Sequence, residues 1–270
     1  MAGGVGSRFW PMSTTENPKQ FHDMMGCGQS LLQKTYHRLA GVIPPQNIWV
    51  LTHTRYTKKV ASQLPEIQVN QIVAEPAMRN TAPCILLAAL KIFKQNEDAQ
   101  MLVAPSDHWI EEEATFHKNL REGFLHSATN KALLTLGITP TYPNTGYGYI
   151  ESASKEEAFT KVVQFREKPD FNTAKSFFNA GNFYWNAGIF MWNASAIIEA
   201  FKKYMPTMYA HFIKGMPVYN TEEEGAFLEL HYPQAENISI DYAILEKANN
   251  VWVQQAEFDW NDLGTWGALY

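Results

Sequence analysis

At 270 residues, 46% of them hydrophobic and 18% charged, the chain has an ordinary globular composition, long enough for one large α/β domain or two small ones. A net charge of −5 argues against a general nucleic-acid binder, and no apolar run approaches the roughly 18 residues of a membrane-spanning helix. The two cysteines, Cys27 and Cys84, make no disulfide framework and nothing resembles a leader, so a cytoplasmic protein with neither nucleic-acid nor membrane partner is expected.

In chain order, Leu31, Leu32, Thr35, Tyr36 and Leu39 fall on one helical face. Residues 48–51 read as a short buried strand, 56–64 as a helix ending before Pro65, and 71–74 as a strand. A helix follows with Ile85, Leu86, Ala89, Leu90 and Phe93 inward, capped by Asn80 or Thr81, with Pro83 in its first turn. Residues 101–104 are the next strand and 116–128 the next helix. Continuous apolar strands alternating with amphipathic helices predict an α/β, Rossmann-like fold: a mixed, mostly parallel sheet with helices on both faces. After 133–136 come aromatic-rich strands at 147–150, 161–165 and 184–192, a helix at 194–203, a helical stretch at 205–230 and a last strand at 251–254. The whole chain, 1–270, reads as one domain. Met1 stands against Gly3 and Gly4 with no length for a strand ahead of them, and the chain stops at 266–270 inside a helical pattern, so both ends are expected to be incomplete.

Gly3, Gly4 and Gly6 let the backbone approach a ligand and turn several N–H groups to one point, a nest suited to polyphosphate oxygens. Arg8 adds a planar fork of donors and Lys19 a compact charge. A tight turn that merely needs glycine is the alternative for Gly-x-Gly alone. No Gly-Lys-Ser/Thr ending follows, and Phe9 stands where a dinucleotide fingerprint needs its third glycine. Asp107 comes just after the 101–104 strand, where open α/β sheets bind ligands, and Asp262 lies in a loop rich in Trp, Asn and Gly. Two such carboxylates suffice for Mg²⁺, which completes its shell with water and phosphate oxygens; a helix cap for Asp107 and a turn for Asp262 are the alternatives. The runs Glu111–Glu113 and Glu222–Glu224 precede helical patterns and read as solvated caps, and Asp259 as a solvated loop residue.

Gly3-Gly4-Val5-Gly6-Ser7-Arg8 followed by Pro18-Lys19 resembles the signature of the sugar-nucleotide pyrophosphorylases, and Phe9-Trp10-Pro11 with Pro18-Lys19-Gln20-Phe21 resembles their mannose-1-phosphate guanylyltransferase branch. The resemblance runs on through Glu75-Pro76, Arg79 to Pro83, Pro105 to His108, Thr145 to Ile150, Phe165 to Pro169, Trp185 to Gly188 and Trp260 to Gly264. It implies a nucleotidyltransferase that moves GMP from GTP to mannose 1-phosphate with Mg²⁺, releasing pyrophosphate. It further implies Arg8 and Lys19 as catalytic residues, and Gly3, Gly4, Gly6, Ser7, Glu75, Asn80 and Thr81 on the nucleotide. Gly146, Tyr147, Glu167, Lys168, Asn186 and Asp241 would bind the sugar phosphate, and Asp107 and Asp262 the metal. For Trp185, Phe190 and Trp192 a place in the core is preferred over stacking on ligand. The same chemistry on another nucleotide or hexose phosphate, or a non-catalytic nucleotide-sugar binder, are the rivals, and a homodimer is the assembly left open.

Overall fold

A computed structural model describes residues 1–4 and 9–266. The first half alternates helix and strand: α1 (Leu31–Ala40), β1 (Val50–His53), α2 (Thr57–Gln63), β2 (Ile72–Glu75), α3 (Thr81–Gln95), β3 (Gln100–Val103), α4 (Glu113–Asn130) and β4 (Leu133–Ile138). The second half holds β5 (Tyr149–Ser152), β6 (Phe159–Arg166), α5 (Phe171–Ala180), β7 (Phe183–Asn193), α6 (Ala194–Tyr204), α7 (Pro206–Phe212), α8 (Glu224–His231) and β8 (Val251–Gln255). Local chemistry starts these helices where they start. Ser30 and Gln33 form a reciprocal capping box at α1, and Asn80, Asp170 and Asn193 accept backbone N–H groups at the heads of α3, α5 and α6.

The larger sheet runs β3-β7-β4-β8-β6-β5, and the start of β7 also pairs with β5, which closes a ring of strands. The expectation of a mostly parallel sheet is corrected here. Among the described strands only β1–β2 and β4–β8 pair in parallel; β7 runs antiparallel to β3, β4 and β5, and β6 antiparallel to β5 and β8. An antiparallel strand covered on both faces carries the same unbroken apolar run as a parallel one, so direction was not written in the pattern. The two faces are visible along β7: Phe190 and Trp192 enter the core under α3 and α6, while Ile189 and Met191 face α4 with Phe116 and Leu120.

The smaller sheet, β1 with β2, joins the larger through the first two residues. Met1 donates its ammonium to Ala104 O (2.8 Å) and accepts from Ser106 N (3.1 Å), and Ala2 N donates to Leu51 O (2.7 Å). Between the facing edges of β1 and β3 lies an apolar cavity of about 210 Å³, walled by Leu32, Tyr36 and Leu39 of α1 and Ile85, Ala88 and Ile92 of α3.

Three further expectations change. The stretch 205–230 is two helices, α7 and α8, separated by turns over 213–223. The helix α5 was not anticipated, although Asp170 after Pro169 is its cap. Glu224 is no solvated cap: its carboxylate pairs with Lys91, a side chain only 6% exposed, and accepts from Asn220 N (2.7 Å). Removing one partner of such a pair strands the other charge, at roughly 3–5 kcal/mol. Lys91→Met is therefore expected to cost about that much in urea unfolding, and the double change Lys91→Met with Glu224→Leu distinctly less.

Candidate active site

Lys19 leaves a short 3₁₀ turn (Lys19–Phe21) behind Pro18 and carries its ammonium inward; the residue is 4% exposed. Its Nζ lies 2.9 Å from Asp107 Oδ2 and donates to the carbonyl oxygens of Asp262 (2.6 Å) and Leu263 (3.1 Å). The two loops it joins are also stapled by backbone. Trp109 and Asn261 exchange both hydrogen bonds (2.8 and 3.0 Å), Asp259 accepts from the amides of Glu111 and Glu112, and Glu112 accepts from Asp259 N. Asp259 is exposed, as expected of a solvated loop residue, and also braces the two loops. Leu263 sits at φ +46°, a left-handed conformation costing roughly 1–2 kcal/mol for a residue with a Cβ. Its side chain is 1% exposed against Phe9, Met24 and Leu31, and that burial is worth about 1.5–3 kcal/mol, enough to offset the strain.

Asp262 Oδ1 accepts from Tyr147 Oη (2.9 Å) and from Gly264 N (2.9 Å). Burial and the neighbouring Asp262 push the Tyr147 hydroxyl well above its usual range, so it stays a donor. Burial alone would raise the Asp107 carboxyl; chiefly the charge of Lys19 outweighs it and holds the group below its ordinary value. His108 is lowered to about 4, chiefly by burial, against the opposing pull of Asp107. Trp260 Nε1 donates to His108 Nδ1 (3.1 Å), and indole is only a donor, so the imidazole is neutral with its proton on Nε2. It supports the loop beside Asp107.

Could these residues hold a divalent cation? Among the described residues no group of three or more His, Cys, Asp or Glu could hold a metal. The candidate donors are two carboxylates, with Oδ2 of Asp107 taken by Lys19 and Oδ1 of Asp262 by Tyr147 and Gly264. Such a donor set fits Mg²⁺, which takes one or two carboxylates and leaves the rest of its shell to water and phosphate. It does not fit a metal that needs a complete protein cage.

Gly6, Ser7 and Arg8 lie outside the described residues. Among the described residues, a Cβ built on Gly3 or Gly4 meets nothing within 4 Å. Glu75 is 7% exposed, at the end of β2 beside the Cys84 thiol and the Tyr232 hydroxyl. Burial first of all raises its carboxyl to about 7, while those neighbours and the terminal ammonium pull the other way. Asn80, at φ +62°, caps Thr81 N, and Thr81 Oγ1 accepts from Ile240 N (2.8 Å), so both expected caps are engaged in holding structure.

Five of the six residues expected to bind the sugar phosphate line one cleft, and Asp241 lies behind it, bonded to Asn186. A cleft of about 320 Å³ is lined by Gly146, Tyr147, Glu167, Lys168 and Asn186, and Asp262 closes its far wall. β6 ends at Arg166, and Lys168 at φ +36° breaks the strand alternation, so its ammonium pairs with Glu167 beside it. Gly148 makes room for that wall: a Cβ there would stand 2.8 Å from Glu167 Oε2. Asn186 Nδ2 donates to Asp241 Oδ1 (2.8 Å), and Asn186 Oδ1 accepts from Gly188 N (3.0 Å). Burial raises the Asp241 carboxyl, partly countered by Asn186. Trp185, Phe190 and Trp192 are core residues, 5%, 2% and 0% exposed. Sequence reasoning missed Trp260 as the partner of His108, the hydrogen bond from Tyr147 to Asp262, and Arg38, which lies under the 108–110 loop. Arg38 had a signal: a charged residue three after Thr35 on the apolar face of α1.

Because the folded protein binds the Glu75 proton more tightly than the unfolded chain, that contribution to stability is full below about pH 4.5 and is lost as pH rises through about 7. Glu75→Gln removes the titration, so thermal unfolding should find the variant gaining on the parent between pH 4.5 and 8. An equal difference at both ends would mean that Glu75 ionises like an exposed carboxylate.

The nucleotidyl transferase family model matches residues 1–270. Mannose-1-phosphate guanylyltransferase RfbM of Salmonella typhimurium is 37% identical over all of this chain, and xanthan biosynthesis protein XanB of Xanthomonas campestris pv. campestris is 36% identical over all of it. The chain spans 57% of the length of each of these relatives. In structure it superposes with a TM-score of 0.89 and 31% identity on the Thermus thermophilus protein called mannose-1-phosphate geranyltransferase, over 100% of this chain and 76% of that one. With a matching model end to end and that fold, the chain belongs to the nucleotidyl transferase family.

Proposed function

We propose that this chain transfers GMP from GTP to mannose 1-phosphate, giving GDP-mannose and pyrophosphate with the help of Mg²⁺. The observation that carries the reading is that Lys19 joins Asp107 to the loop of Asp262, and Asp262 lines a cleft that also bears Glu167, Lys168 and Asn186. The names of the relatives narrow the substrates to a guanine nucleotide and mannose 1-phosphate.

An oxygen of the sugar phosphate attacks the α-phosphorus of GTP in line; the bond from that phosphorus to the bridging oxygen breaks, and pyrophosphate leaves with its electron pair. The nucleophile is already anionic, so no general base is required, in keeping with a neutral His108 whose Nδ1 is occupied. Lys19 supplies a fixed positive charge beside the reacting phosphates, and its acceptors on both loops hold it there without reorganisation. Asp107 and Asp262 would hold Mg²⁺, which when bound neutralises charge on phosphate oxygens. Glu167 and Asn186 offer acceptors and donors to hexose hydroxyls, and Lys168 a charge for the sugar phosphate. Gly3 and Gly4, which no described residue crowds, would let phosphate approach their backbone closely.

Pyrophosphate release measured with mannose 1-phosphate and each nucleoside triphosphate in turn should be well above the others with GTP. Asp107→Asn should abolish it, and Lys19→Ala should cost roughly 10²–10⁴ in turnover. Equal rates with all four nucleotides would overturn the guanine assignment, and silence in the parent the catalytic one. Tyr147→Phe separates two roles. An Mg²⁺ requirement raised roughly 10-fold at unchanged KM for the sugar phosphate is expected from its bond to Asp262. A raised KM alone would return Tyr147 to sugar binding.

A further inference from the structure

Arg38 is buried in α1, 2% exposed, yet none of its acceptors is a carboxylate. Its Nη1 donates to Ile110 O (3.3 Å), and its Nη2 to His108 O (3.4 Å) and to Thr35 Oγ1 (3.2 Å). The guanidinium carbon stands 5.5 Å from the Phe116 ring, and among the described residues Nε has no hydrogen-bond partner. A buried cation held by neutral oxygens and one ring face is an expensive way to fill space, which any apolar side chain would do better. Its place explains the expense. The two carbonyls it grips belong to the residues on either side of Trp109, and Trp109 is the residue that exchanges both backbone hydrogen bonds with Asn261. Asp107 precedes this stretch directly, and Asp262 directly follows Asn261.

We propose that Arg38 is a positioning residue that sets both acidic loops from below: it orients the 108–110 peptides that aim Asp107, and through the Trp109–Asn261 bridge it fixes the register of Asp262. The planar fork matters, because one guanidinium reaches both carbonyls and Thr35 at once, whereas a lysine offers a single point of donation. The proposal rests on the reading of Asp107 and Asp262 as a cation-holding pair.

The test compares the full chain with Arg38→Lys and Arg38→Met by three measurements. These are amide hydrogen exchange, Mn²⁺ binding followed by electron paramagnetic resonance without nucleotide, and kcat and KM for pyrophosphate release. Arg38→Lys should fold, exchange the amides of Trp109 and Asn261 faster than the parent while those of β4 and β7 keep their rates, bind Mn²⁺ more weakly and lose kcat, the last two each by roughly 10–100-fold. KM for the sugar phosphate should stay put, since Arg38 bonds none of Glu167, Lys168 and Asn186. If Arg38→Met fails to fold, Arg38→Lys decides alone. A folded Arg38→Lys with parental Mn²⁺ affinity and kcat overturns the proposal, whatever its Tm. A parent that binds Mn²⁺ but releases no pyrophosphate removes the catalytic reading, and the loss of Mn²⁺ affinity in the variant then still decides this one. A parent that binds no Mn²⁺ removes both.

Discussion

The buried ammonium of Lys19 is the constraint around which the site is built. Moving such a group out of water costs several kcal/mol, and what offsets it here is one carboxylate and two backbone carbonyls, each within hydrogen-bonding distance. Charge-assisted bonds of this kind contribute roughly 1.5–3 kcal/mol apiece, so three of them are of the right size to hold the charge in place. Two of those acceptors lie on a loop near the end of the described chain and one on the loop after β3. The cation therefore decides how far apart two segments stand that no local interaction would bring together.

Around that charge the polar groups are arranged in tiers. Tyr147 and the Gly264 amide occupy one oxygen of Asp262, while Trp260 fixes the proton of His108 on Nε2. Beneath them Asp259 and Glu112 brace the loops, and Arg38 grips the carbonyls from α1. The aromatic residues serve both packing and polarity: Tyr147 meets Trp185 and Trp260 edge-on at 5.0 and 5.3 Å, so the ring that directs a hydroxyl at Asp262 is also part of the wall. Positioning by packed neighbours suits chemistry that depends on charge placement more than on proton transfer.

The sugar-side wall has a comparable internal order. Asn186 is held by Gly188 N on one side and gives its own N–H to Asp241 on the other. Asp241 belongs to the π-helical turn that follows Ile240, and Ile240 N is bound by Thr81 at the head of α3. The region expected to meet the base and the region expected to meet the sugar are thereby joined through two side-chain hydrogen bonds and a short stretch of backbone.

Much was determined by the sequence alone. Apolar periodicity announced α1, α3, α4, α6 and the strands of the first half to within a few residues, because burial of one face is a local pattern. The motifs around Glu167, Asn186 and Asp262 named residues that line one cleft, and those around Lys19 and Asp107 a pair bonded to the Asp262 loop. Strand direction was not legible, since a strand buried on both faces by helices has the same composition whichever way it runs; that β7 lies antiparallel between β3 and β4 was decided by long-range pairing. Nor were the partners of individual polar atoms. Glu224 looked like a solvated cap until Lys91 was brought to it from α3, and that the Tyr147 hydroxyl meets Asp262 was not written in its motif. Arg38 drew no reading from the sequence, because the carbonyls that it holds belong to a loop some 70 residues away. A residue's chemistry is carried in the chain, but what satisfies a buried donor or charge is whichever distant group the fold sets within about 3 Å of it, and only the tertiary structure makes that choice.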